Sequence, residues 1–112
     1  MIERQSFMKQ RLLMYGAMGT YFNLLHPEAG EAEDANITHP DWIVAIHKEY
    51  ILSGAGVIRT NTFAVNHLLI PEREMCKKVI CAAVENARQA VAETGETVEI
   101  MASIGPIRQD LP

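Results

Sequence analysis

With 112 residues, a net charge of −4 and an apolar fraction of 48%, the chain has the composition of one globular domain with a modest core. Its ten basic residues are scattered and form no stripe, which argues against nucleic acid as a partner. No apolar run approaches the roughly 20 residues that span a bilayer, and the polar start Met1-Ile2-Glu3-Arg4-Gln5 lacks a signal-peptide apolar region; no membrane partner and a cytoplasmic location are expected.

Residues 2–11 are patterned as a short amphipathic helix leading into a first strand near 12–15, where Leu12-Leu13-Met14 runs into Tyr15-Gly16-Ala17-Met18-Gly19-Thr20. The stretch from Asn23 to Asn36 is rich in Glu, Ala, Gly and Asp, carries the breakers Pro27 and Gly30, and reads as a long loop. Thr38-His39-Pro40-Asp41 reads as a helix start: Thr38 can cap free amides, Pro40 suits the first turn, and the Asp41 carboxylate suits the N-terminal dipole. The helix is predicted near 40–53, with Ile43, Ile46, Tyr50 and Ile51 at helical spacing and Ser53-Gly54-Ala55-Gly56 ending it.

A second strand is predicted near 57–62, where Val57-Ile58 leads into Arg59-Thr60-Asn61-Thr62-Phe63. A longer helix follows near 72–93, with Cys76, Val79, Ile80, Ala83, Val84, Ala87 and Val91 on its apolar face and Thr94-Gly95 as its stop. The third strand, near 98–103, runs into Ser103-Ile104-Gly105-Pro106. The order is strand, helix, strand, helix, strand, which predicts an α/β fold with strands two and three parallel. Three parallel strands under two helices make a thin sheet, and the pattern reads as the opening of a larger barrel.

The residues suited to chemistry sit at the carboxyl ends of these strands, where parallel α/β folds gather ligands. Gly16 and Gly19 permit either a tight turn or close approach of the backbone to a ligand, and their spacing fits neither a dinucleotide fingerprint nor a phosphate-binding loop. Along a strand, Asn61 faces opposite to Thr60 and Thr62; this polar trio needs hydrogen-bond partners, from a ligand or from loop backbone. Ser103 serves equally as a ligand contact or a turn residue.

Elsewhere the sequence favours structural roles. The histidines at 26, 39, 47 and 67 lack zinc-like spacing, and His47 reads as a packed or surface residue. Asp34, Asp41 and Glu49 read as solvated or capping carboxylates. Cys76 and Cys81, five apart on a helix and about 140° apart around its axis, read as small buried thiols and not as a metal pair. No nucleophile-base pairing is legible.

Taken together, these strand ends resemble the homocysteine S-methyltransferase family. Gly16-Ala17-Met18-Gly19-Thr20 is similar to the end of its first strand, and Asn36-Ile37-Thr38-His39-Pro40 with Ile46-His47-Lys48-Glu49-Tyr50 to its first helix. Gly54-Ala55-Gly56-Val57-Ile58 and Thr60-Asn61-Thr62-Phe63, with Asn66 beyond, resemble its second strand, and Ser103-Ile104-Gly105-Pro106 the end of its third. Within the family the resemblance is nearest to folate- and cobalamin-linked members, including those fused to a methylenetetrahydrofolate reductase.

The resemblance implies the N-terminal part, about three β/α units, of a TIM (β/α)8 barrel that methylates the homocysteine thiol to give methionine. It assigns substrate binding to Gly16, Ala17, Met18, Gly19, Asn61, Thr62 and Ser103, with no catalytic or metal residue in this chain. The family's zinc is held by three cysteines on later strands, including a Gly-Gly-Cys-Cys stretch absent here, and Cys76 and Cys81 match none of them. Tyr15 stands where the family usually has an aspartate that helps to bind homocysteine, and Arg59 where it usually has Glu or Gln. The expected function is a segment of a zinc-dependent homocysteine S-methyltransferase, inactive as an isolated chain, with an unidentified methyl donor. The alternative is a non-catalytic, degenerate or split-barrel module that assembles with itself or with the missing part of the barrel.

Overall fold

The computed structural model describes residues 18–66 and 70–105. The expected helix at 2–11, the first strand near 12–15, and Tyr15, Gly16, Ala17, His67 and Pro106 lie outside the described residues. The described elements are α1 (Met18–Leu25), α2 (Ala35–Thr38), α3 (Pro40–Leu52), β1 (Val57–Arg59), α4 (Arg73–Thr94) and β2 (Glu99–Met101).

β1 and β2 pair in parallel with Ile58 opposite Ile100 and Arg59 opposite Met101, so the α/β class and the parallel pairing of these strands are observed. Both strands are shorter than their predicted spans of 57–62 and 98–103. After Arg59 the ladder gains one more bond, Thr60 N to Met101 O at 2.9 Å, and then the chain turns on itself with Thr62 N donating to Thr60 O at 2.9 Å. The polar residues therefore leave the sheet at the point where their side chains find partners across the two strand ends.

The core lies between α3, α4 and the inner face of β1. Phe22, Ile43, Ile46, Ile58, Ala87 and Ala90 are all essentially inaccessible. Along α4 the buried positions are Val79, Ala83, Asn86, Ala87 and Ala90, a stripe of mostly small side chains that admits α3 at close range. The predicted apolar face is thus rotated: Ile80 is 41% exposed, while Asn86 and Ala90 turn inward. Cys81 is exposed and Cys76 half-buried, which corrects the expectation of two buried thiols. Gly95 stops α4 as expected, in the left-handed conformation (φ 69°) that only glycine adopts without strain, with its amide on Val91 O.

Two local expectations are overturned. The stretch from Asn23 to Asn36 is not all loop, because α1 runs to Leu25 and α2 begins at Ala35. Thr38 does not cap α3; it closes α2, its hydroxyl donating back to Asp34 O at 3.2 Å. His39 occupies the cap position with a non-helical backbone (φ −142°, ψ 63°) and no side-chain cap bond, whereas Pro40 and Asp41 fill the first turn of α3 as predicted.

α1 is fastened to α3 by ring contacts. Tyr21 meets Tyr50 edge-on at 5.7 Å and donates to Glu49 at 2.8 Å, so Glu49 is a hydrogen-bond acceptor and not merely solvated. Trp42 is stacked between the imidazoles of His26 and His39, with ring centroids 3.9 and 3.8 Å away. On the far side, an exposed Lys48–Glu93 ion pair at 3.0 Å joins α3 to α4 and contributes little at its solvent-screened position. Among the described residues, no helix is long and apolar enough to cross a membrane.

His47, at the centre of α3, is fully buried, so of the two readings offered by sequence the packed one holds. Burial disfavours the imidazolium and lowers its pKa from 6.5 to about 4. The unfolded chain takes up this proton near pH 6.5 and the folded chain only near pH 4, so stability is fully present above 6.5 and is lost as pH falls towards 4. Urea titrations between pH 7.5 and 4 are expected to show the wild type losing on the order of 3 kcal/mol more than His47→Gln, which has no proton to gain. Equal pH slopes for the two proteins would contradict this.

Candidate substrate cleft at the strand ends

The carboxyl ends of β1 and β2 and the start of α1 enclose a cleft of about 440 Å³. Three segments distant in sequence meet there: Met18, Gly19, Thr20 and Asn23 from α1; Arg59, Thr60, Asn61 and Phe63 from the end of β1; and Ser103 beyond β2. Glu33, in the turn before α2, completes the lining. A parallel pair must place both carboxyl ends on the same side, so β1 and β2 deliver their polar ends to one place.

A closed ring of hydrogen bonds holds the two ends together. Thr62 Oγ1 donates to Ser103 O at 2.7 Å, Ser103 N donates to Thr60 Oγ1 at 3.3 Å, and the two threonine hydroxyls lie 2.8 Å apart. A carbonyl can only accept, so the single Thr62 proton goes to Ser103 and Thr60 must donate to Thr62. Below the ring, Gly105 N donates to Phe63 O at 3.1 Å. A β-carbon at position 105 would collide with that carbonyl, so only glycine fits there without displacing the chain.

Asn61 points the other way, as strand alternation predicts, into a buried amide network. Its Nδ2 donates to Ala32 O at 2.7 Å and to Asn36 Oδ1 at 3.2 Å, while Asn36 Nδ2 donates to Asn61 O at 2.7 Å and to Glu33 O at 3.0 Å. Asn86 reaches in from α4, its Nδ2 donating to Asn36 O at 3.2 Å. All three asparagines are at most 5% exposed. One Glu33 carboxylate oxygen, Oε2, accepts from Ala64 N at 3.2 Å. The network joins α2, the end of β1 and α4, and sets the wall of the cleft that carries Glu33.

Of the residues singled out from sequence for substrate binding, Met18, Gly19, Asn61 and Ser103 are brought together in the cleft lining. Met18 and Gly19 do so as the first residues of α1, and open space surrounds the position a Gly19 β-carbon would take. Thr62 sits behind the surface at 8% exposure, held by Ser103. Gly16 and Ala17 lie outside the described residues. Glu33, Asn36 and Asn86 were not assigned site roles by sequence; the available signal was Asn86, a carboxamide one position from the apolar stripe of α4.

Among the described residues, no group of three His, Cys, Asp or Glu side chains is placed to hold a metal ion. Cys76 and Cys81 lie on α4, outside the cleft lining. The cleft lining combines backbone, hydroxyl and amide groups with the apolar Met18 and Phe63, one cationic side chain, Arg59, and one anionic side chain, Glu33.

The sequence profile of the homocysteine S-methyltransferase family matches residues 12–111, a span that includes every residue lining the cleft. The chain belongs to the homocysteine S-methyltransferase family.

Removing the Asn61 carboxamide takes one of two donors from Ala32 O, which keeps Ala35 N, and takes from the buried Asn36 Oδ1 the donor it has in Asn61. Asn61→Ala is expected to lower stability by about 2 kcal/mol in urea denaturation, in the range for an unmade buried hydrogen bond. Ser103 contributes only backbone atoms to the threonine ring, so Ser103→Ala should change stability by less than about 0.5 kcal/mol, as for substitutions that break no buried contact. A loss at Ser103 as large as that at Asn61 would show that the ring depends on the serine side chain.

Proposed function

We propose that this chain forms the substrate side of a homocysteine-binding pocket in a (β/α)8 barrel whose reaction is methyl transfer to the homocysteine thiol. The observation that carries the reading is the convergence of α1, the end of β1 and the segment after β2 on one cleft at the carboxyl ends of parallel strands. In that reaction the thiol gives up its proton, the sulfur attacks the methyl carbon, and the bond from methyl to donor breaks towards the donor. Met18 and Gly19 shape the cleft wall and Asn61 and Ser103 lie at its polar end; Thr62 supports the site from behind by holding Ser103. Gly16 and Ala17 are proposed as further substrate contacts on the strength of the sequence resemblance alone. The sequence resemblance favours a folate- or cobalamin-linked branch, which leaves the methyl donor open.

The family resemblance also implies zinc, which would favour the thiolate form of the substrate. The described residues do not fit that role: Cys76 and Cys81 are separated around α4, and no third ligand joins them. No step is therefore assigned to a metal held by this chain. The reading has the thiol-activating half supplied from residues outside it, with the isolated chain binding substrate but not turning it over.

Titration of the purified chain with reduced L-homocysteine is expected to give saturable binding, seen calorimetrically or as amide shifts near Ser103 and Asn61. Failure to bind would overturn the substrate reading. Incubation with zinc, homocysteine and either methyltetrahydrofolate or S-methylmethionine is expected to give no methionine above a zinc-free control, and methionine formation would overturn the inactivity.

A second reading is an assembly module acting through self-association or a partner segment of the barrel. It is favoured by the exposure of Met101 (52%) in β2 and of Ile104 (88%) just beyond it, β2 having only β1 as a strand neighbour among the described residues. Sedimentation velocity at micromolar concentration is expected to show association under this reading, and a stable monomer would count against self-assembly.

A further inference from the structure

Two side chains of the cleft carry opposite formal charge, and both are anchored through their backbones. Arg59 is the last residue of β1, fixed in the ladder opposite Met101. Glu33 stands in the turn whose carbonyls at 32 and 33 accept from Asn61 and Asn36, and its carboxylate accepts from Ala64 N. Both are half-buried, which strengthens their interaction with a bound charge relative to an exposed site. Thr60, Asn61 and Ser103 share the cleft lining with them, while Met18 and Phe63 supply apolar surface to the same cleft.

We infer that Arg59 and Glu33 are the specificity-determining residues for a zwitterionic α-amino acid, Arg59 taking its α-carboxylate and Glu33 its α-ammonium. The inference rests on the proposed homocysteine reading for the side chain of the ligand, though not for its head group. A guanidinium presents paired N–H donors that match a carboxylate, and its five donors accommodate an internal contact and a ligand together. Glu33 uses Oε2 on a backbone amide, and a carboxylate has lone pairs enough on its two oxygens to accept from an ammonium as well. The thioalkyl arm is then left to Met18 and Phe63, whose sulfur and ring suit a soft, apolar chain.

The test needs three ligands and two substitutions, read by calorimetry on the full chain. L-Homocysteine is compared with 3-aminopropane-1-thiol, which lacks the carboxylate, and with 4-sulfanylbutanoate, which lacks the ammonium. The wild type is expected to bind each truncated ligand at least about tenfold more weakly than homocysteine, as for loss of one charge-assisted hydrogen bond. Arg59→Gln is expected to weaken homocysteine and 4-sulfanylbutanoate about tenfold and leave 3-aminopropane-1-thiol unchanged, with Arg59→Lys intermediate. Glu33→Gln keeps an oxygen for Ala64 N and should show the reverse pattern, losing affinity for homocysteine and 3-aminopropane-1-thiol only.

Equal weakening of all three ligands by either substitution, or wild-type indifference to ligand truncation, would overturn the assignment. If homocysteine fails to bind but L-2-aminobutyrate binds with the same dependence on Arg59 and Glu33, the homocysteine reading falls and this assignment stands. If no α-amino acid binds, both fall.

Discussion

A carboxamide buried without partners costs on the order of a few kcal/mol, and the end of β1 is organised around avoiding that cost at Asn61. Because β1 leads into the interior, Asn61 can be satisfied only if the turn at 32–34 and the first residues of α2 come to it. That requirement draws in Asn36, then Asn86 of α4, and brings Glu33 to the wall of the cleft. On the opposite face of the same short segment, Thr60 and Thr62 need partners of their own and find them in the backbone of Ser103. The cleft is the space left between these two sets of obligations.

This arrangement shows which polar side chains of the cleft build its scaffold. Asn61 and Thr62 were expected to contact substrate, and both are engaged in holding the scaffold. Asn61 nonetheless borders the cleft, so a ligand would meet a carboxamide already fixed in orientation, which lowers the ordering cost of binding. Arg59 and Glu33, the latter accepting from Ala64 N, add electrostatic character to a cleft otherwise made of hydroxyls, amides and apolar side chains.

Much of the fold was legible because its signals are local. Pro40 and Asp41 mark the start of α3, and Gly95 ends α4 through a conformation that other residues resist. The parallel pairing of β1 with β2 follows from two apolar runs separated by a long helical pattern. What was not legible depends on tertiary partners. Thr38 has the chemistry of a cap, yet the preceding residues form a turn of helix that claims its hydroxyl. Asn86 has no evident role in the sequence until Asn36 is known to lie opposite, and Ile80 looks like core until α3 settles on the alanine side of α4. Within the site, the strand ends could be located from sequence, whereas which polar side chains are bonded within the scaffold required the hydrogen-bond partners.

The stack of His26, Trp42 and His39 has a practical consequence for this cleft. Trp42 is the chain's single tryptophan, and one of the two rings against it lies immediately after α1, the helix that supplies Met18 and Gly19 to the cleft. Displacing α1 would lift His26 from the indole face while leaving His39, next to α3, in place. The protein thus carries an intrinsic optical reporter beside its cleft wall, and its emission is expected to differ between a docked first helix and a detached one without any added label.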